Sequence, residues 1–154
     1  MKPLLLGMNN PLSDDPEFDL YPYPEGSAGY RLWKLLPEGT ARAQYLAAFD
    51  RRNLLRARQW SAAEARVAAQ ALLPELAGRL VVVLGSDVRA ALGLSKVAPL
   101  SLNESWLHPS PDFSMMLRWV ALPHPSGRNL WYNNKANRLR ASDLLERIMR
   151  GAVS

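Results

Sequence analysis

Five consecutive residues, Leu80-Val81-Val82-Val83-Leu84, are apolar without a break, between Arg79 and Gly85. A strand with one face in water alternates apolar and polar side chains, so a strand this uniform has to be buried on both faces. Leu4-Leu5-Leu6 and Trp119-Val120-Ala121-Leu122 have the same character. Between these runs the periodicity changes to that of helices. Ser61 and Glu64 form a capping box opening an Ala-rich helix to about Ala77, which Gly78 stops. Lys135–Met149 reads as an amphipathic helix with Leu139, Leu144, Leu145 and Ile148 inward. Shorter helices are expected at Tyr30–Leu36, Thr40–Phe49 and Asp87–Leu92, and a short strand at Asn53-Leu54-Leu55. Two Pro-rich stretches, Leu12–Gly29 and Pro99–Ser114, read as loop, the first kept in order by Phe18, Tyr21, Tyr23 and Tyr30.

Strands alternating with helices require a mostly parallel sheet covered on both faces. The expected fold is therefore α/β: a three-layer αβα sandwich around a central, mostly parallel four-stranded sheet, as one domain over residues 1–154. In such sheets the ligand lies beyond the carboxyl ends of the strands. Two strand ends run into polar, backbone-restricting loops, Gly7-Met8-Asn9-Asn10-Pro11 and His124-Pro125-Ser126-Gly127-Arg128-Asn129. These loops are expected to face each other across the functional site.

Composition removes several classes of chemistry. The chain has no cysteine, which excludes disulfides, thiolate zinc sites, a cysteine nucleophile and Cys-ligated iron–sulfur clusters. Its apolar runs are strand-sized, far below the roughly 20 residues of a membrane span, and Leu4–Leu6 is too short for a signal peptide. A soluble cytoplasmic chain is expected. The net charge is +5, unevenly placed: −4 over residues 1–27, +4 over 28–117 and +5 over 118–154. A basic C-terminal third suits a polyanion, nucleic acid first, although a solvated helix face accounts for it equally simply.

Gly7-Met8-Asn9 after a buried strand, His124-Pro125-Ser126-Gly127-Arg128-Asn129 after another, and Gly29-Tyr30-Arg31-Leu32-Trp33 at a helix start together resemble the uracil-DNA glycosylase superfamily. The motif order and spacing cover nearly the whole chain. The likeness is nearest to the mismatch-specific and single-strand-selective branches, from which Asn10, standing between Asn9 and Pro11, departs. The resemblance implies a divergent, monofunctional DNA N-glycosylase of bacterial or phage origin that excises uracil or a related pyrimidine. It implies no cofactor and no metal, DNA as the partner, and a monomer.

The resemblance also assigns roles. Asn9 orients the attacking water, since an amide cannot act as a base. His124 donates a hydrogen bond to the base oxygen as charge builds there. Asn53 reads the pyrimidine edge, Tyr23 stacks on the flipped base with Tyr21 and Phe18 as neighbouring choices, and Met8 completes the base contacts. Ser126, Gly127 and Asn129 meet the DNA backbone, and Arg128 fills the hole that the base leaves. Each residue also has a plainer reading: Asn9 and His124 as loop-satisfying groups, Asn53 as a helix stop, Tyr23 as loop packing. Asp14 and Asp15 are the nearest carboxylates that could serve as a base. Other readings are a catalytically inactive relative that recognises an extruded base, a nucleoside hydrolase or deoxyribosyltransferase built on Asp14, Asp15 and Asp19, and an α/β interaction module.

Overall fold

A computed structural model describes residues 1–153. The elements in chain order are β1 (Leu4–Asn9), α1 (Ala28–Leu35), α2 (Arg42–Ala48), β2 (Asp50–Leu55), α3 (Ala62–Leu76), β3 (Leu80–Leu84), α4 (Ser86–Ala91), β4 (Leu102–Ser110), β5 (Phe113–Leu122) and α5 (Lys135–Met149). Short 3₁₀ turns at Pro16–Phe18 and Leu130–Asn133 lie in the connecting loops. The strands form one sheet in the order β2-β1-β3-β5-β4. All neighbours are parallel except β4, which pairs antiparallel with β5.

The alternation of side chains across the pleat divides the core between the two faces. Leu4 and Leu6 of β1, Val81 and Val83 of β3, and Leu117 and Trp119 of β5 pack against α3 and α4. Leu5, Val82, Leu84, Val120 and Leu122 face the other way, against Leu32 of α1, Tyr45 of α2 and Leu144, Leu145 and Ile148 of α5. The sheet is thus flanked by helices on both faces, as the uninterrupted apolar strands require. Ser61 Oγ accepts from Glu64 N at 3.3 Å and starts α3 as its sequence predicts. Among the described residues no helix is long and apolar enough to cross a membrane.

The expected four strands become five, because Pro99–Ser114 is not a loop. It contains β4, the turn at Pro111-Asp112 and the start of β5, which begins at Phe113 rather than near Trp119. The pattern of β4 is mixed: Leu102 and Trp106 point outward with Glu104 and His108, while Asn103 and Ser105 are half-buried with Leu107. Ser105 Oγ accepts from the Trp119 indole N–H at 2.9 Å, which lets a polar side chain sit on the covered face. Pro109 falls on this outer strand where the register with β5 shifts between Leu107 and Ser110, so its missing N–H interrupts no regular ladder. Leu139, expected inward on α5, is exposed, and Ala141 takes the buried position instead.

Chain order reverses at the middle of the sheet. The connection from β1 runs outward to β2, and that from β3 runs the opposite way towards β5. This switch opens a crevice at the carboxyl ends of β1 and β3.

Candidate active site

The crevice is a cleft of about 860 Å³, walled by the loop after β1, the segment Phe18–Gly29, the loop after β2 and the loop after β5. Met8, Asn9, Tyr23, Asn53, His124, Ser126 and Gly127 all line it. Arg128 and Asn129 do not. Arg128 stands exposed in the turn that follows, and Asn129 faces a smaller neighbouring cleft.

Asn9 ends β1, where its register partner is Leu55 of β2. Its Nδ2 donates to Ala57 O at 3.2 Å, which ties the loop after β1 to the loop after β2 and leaves Oδ1 as an acceptor. Asn10 does the work of loop closure: its Nδ2 donates to Phe18 O at 3.1 Å and its Oδ1 accepts from Leu12 N at 2.9 Å. Both asparagines line the cleft and both hold backbone groups, but Asn10 spends its nitrogen and its oxygen on the loop whereas Asn9 spends only its nitrogen.

His124 follows β5 and leans over the end of β3. Gly85 sits beneath it with φ +90°, and a Cβ there would stand 2.9 Å from His124 Cβ. A side chain at Gly85 would push the imidazole away, so glycine serves both the left-handed turn and the close approach. Tyr132 Oη donates to Pro123 O at 2.6 Å, and His124 O accepts from Ser126 N and Asn129 Nδ2. Asn129 Oδ1 accepts from Trp131 N, so this side chain is committed to holding the loop. These bonds fix the backbone and leave the ring free to act on a ligand. Burial lowers the His124 pKa below its ordinary value, partly opposed by Asp87, so the imidazole is neutral at pH 7. A neutral imidazole offers one N–H donor.

Asn53 is 3% exposed, opposite Gly7 in the register of β1 and β2. Its backbone N–H donates to Asp19 Oδ2 at 3.0 Å and its Nδ2 to Asp19 Oδ1 at 3.3 Å. Asp19 is itself 1% exposed and ion-paired with Arg56. A carboxylate only accepts, so the amide nitrogen of Asn53 must face it, and Oδ1 is turned the other way. That oxygen is buried with no partner among the described residues. A Cβ on Gly7 would lie 2.5 Å from it, so the bare glycine makes its room. An unsatisfied buried acceptor costs about 1–3 kcal/mol.

Tyr23 is exposed at the rim, while Tyr21 is half-buried, with the Arg51 guanidinium 5.7 Å from its ring centroid and Phe18 edge-on at 5.4 Å. Both Tyr21 and Phe18 line the cleft beside Tyr23. Asp14 and Asp15 lie outside the wall; Asp15 caps the Pro16–Phe18 turn by accepting from Glu17 N. Glu25, exposed at the rim, is the one carboxylate among the described lining residues.

The sequence offers Asp19 only beside Asp14 and Asp15 as an acid for a nucleoside-acting enzyme, and its burial against Asn53 is what distinguishes it. Two further residues were not singled out. Arg58 and Trp60 line the cleft from the loop after β2. The strand-end rule applied to the Asn53-Leu54-Leu55 strand would have found them.

Fold and cleft together define an α/β protein with a cleft at the carboxyl edge of a mostly parallel sheet, lined by amides, a histidine and aromatic side chains. Comparison of the chain with protein-family models, with curated proteins and with solved structures finds no match.

Proposed function

We propose that this chain is a DNA glycosylase that takes a pyrimidine, uracil or a relative of it, out of the helix and hydrolyses its N-glycosidic bond. The observation that carries the reading is the convergence of Asn9, Asn53 and His124 on one cleft, with the Asn53 acceptor buried and unpaired. Expulsion of a base requires it to leave the stack and to carry negative charge as the bond breaks. The bonding pair between sugar C1′ and the base nitrogen departs with the base, and charge collects on the base oxygen. The N–H of neutral His124 stabilises it there. Water oriented by Asn9 Oδ1 adds to C1′ and gives up its proton to the departing base. Asn53 Oδ1 accepts an imide N–H, Met8 and Tyr23 pack on the ring, and Ser126, Gly127 and Arg128 meet the opened strand.

A second reading has its own support. Asn9 is an amide, the lining carboxylate Glu25 stays at the rim, and Asn9 Nδ2 is already committed to Ala57. A chain that recognises an extruded base without releasing it would use the same cleft.

The experiment is base release, read by mass spectrometry, from oligonucleotides carrying uracil in single strands and opposite guanine or adenine, thymine mismatches, hypoxanthine and modified pyrimidines. Wild type is run beside Asn9→Ala and His124→Ala. Release that falls on the order of 10²–10³-fold in His124→Ala, with DNA affinity within a few-fold, is the expected result. Binding without release supports the inactive base reader, and neither binding nor release sinks both readings. Because His124 works as a neutral donor, release stays level as pH rises above about 6.5, the ordinary histidine value. A rate that drops through that range would mean an imidazolium donor instead.

A further inference from the structure

We propose that the smaller cleft beside the loop after β5 is a phosphodiester-binding subsite, built around Arg31, Lys34 and Arg138. It has a volume of about 330 Å³ and shares Pro125, Ser126 and Gly127 with the larger cleft. No carboxylate is among its described lining residues. Some exposed arginines elsewhere pair with acids, Arg52 with Glu75, Arg118 with Glu104, Arg147 with Asp143 and Arg150 with Glu146, while among the described residues Arg58, Arg66, Arg128 and Arg140 do not. What sets this cleft apart is that three cations line it with no acid among them. Arg31, Lys34 and Arg138 have no ion-pair partner among the described residues, although two of them are held in place. Arg31 Nε donates to Gly26 O at 3.3 Å, and Arg138 donates through one terminal nitrogen to Tyr132 O at 2.7 Å. Lys34 Nζ lies 5.3 Å from the Trp33 ring centroid.

Arg31 carries the argument. A Cβ on Gly127 would stand 2.6 Å from the Arg31 Nη2. The guanidinium therefore lies on the loop that separates the two clefts. With only Nε engaged, its terminal nitrogens present the planar fork that matches two phosphate oxygens. Ser126 Oγ accepts from Arg128 N at 3.3 Å, which leaves its own hydrogen to donate. The cleft has room for a phosphate. Its shared wall places that phosphate next to a nucleotide held in the larger cleft. The strand as the source of the phosphate rests on the proposed function; the anion site does not.

The test titrates the ¹⁵N-labelled full chain with inorganic phosphate and, separately, with a short single-stranded oligodeoxynucleotide. Wild type is compared with Arg31→Gln, Lys34→Gln and Arg138→Gln, all at exposed positions, with thermal melting as the folding control. Both ligands are expected to shift the Gly127 amide and the Arg31 Nε–H saturably. Arg31→Gln should weaken the oligonucleotide about tenfold and flatten the dependence of log K on log salt by about 0.7, the value of one single-strand phosphate contact. An oligonucleotide bound by the variants with unchanged affinity and slope overturns the subsite and leaves the glycosylase reading standing. Phosphate shifts without oligonucleotide binding overturn the phosphodiester assignment and the DNA partner together, leaving a site for a free phosphate. Base release by wild type with no phosphate shift at Gly127 overturns the subsite alone.

Discussion

The two proline-rich stretches of this chain look alike in composition and fold in opposite ways. Leu12–Ser27 stays irregular and is tied down by side chains from elsewhere. Tyr45 Oη donates to Leu20 O at 2.7 Å, Arg42 Nε to Pro22 O at 3.1 Å, and Arg51 to the carbonyls of Glu17 and Asp19. Pro99–Ser114 instead becomes an edge strand, because β5 offers it an unpaired ladder. Proline content does not separate the two. What separates them is where the backbone groups find partners: side chains in the first, a neighbouring strand in the second. The first becomes the wall of the cleft. The second closes the sheet on the side away from β2 and leaves Trp106 66% exposed, with Phe113 and Met116 also open to solvent.

That contrast can be broken most severely at Gly29. A Cβ there would fall 2.2 Å from Tyr21 O and 2.3 Å from Leu20 O, backbone atoms that cannot swing aside. Gly29→Val is expected to cost about 3 kcal/mol in urea unfolding and to open the Leu12–Ser27 segment to protease. A variant that melts like wild type would show that the segment is not held against α1.

Asp19→Ala comes next. It strips the carboxylate from Arg56 and from both donors of Asn53, and should cost about 2 kcal/mol. It should also let the Asn53 amide turn over, so ligand affinity falls by more than the loss of stability explains. Pyrimidine binding unaffected by the substitution would separate Asp19 from the site and leave it a purely structural anchor.

The edge strand should hardly notice its own exposed residues. Trp106→Thr is expected to change stability by no more than about 0.5 kcal/mol, since the ring is mostly in water. Pro109→Thr should change it as little, but it restores an N–H on an outer strand and should raise self-association in light scattering. A large destabilisation by Trp106→Thr would mean that this face is covered in solution.

The fold was legible wherever burial was two-sided or periodicity strong. Leu80–Leu84 had one structural meaning, and Lys135–Met149 marked its helix residue for residue. β4 was not legible, since both its faces are mixed: Asn103 and Ser105 sit beside Leu107 on the half-buried one, Leu102 and Trp106 beside Glu104 and His108 on the outer one. A polar residue on a covered face is readable only when its partner is known, here the Trp119 indole for Ser105. Within the site, Asn9, Asn53 and His124 could be named from motifs and strand ends, and the cleft brings them together. That Asp19 holds Asn53 could not be read, because one acid among several in an acidic segment carries no local mark.

By itself the sequence determined a parallel sheet covered on both faces and the two loops that end its strands at the site. Both follow from local physics: unbroken apolar runs demand burial on two sides, and a chain leaving such a strand must turn in polar residues at its carboxyl end. The tertiary structure decided which polar groups stay unpaired. Asp19 takes the Asn53 amide nitrogen and leaves its oxygen without a partner, and Arg31 comes to lie against the loop at Gly127. Those outcomes depend on side chains far apart in the chain competing for the same few atoms, and no local pattern records who wins.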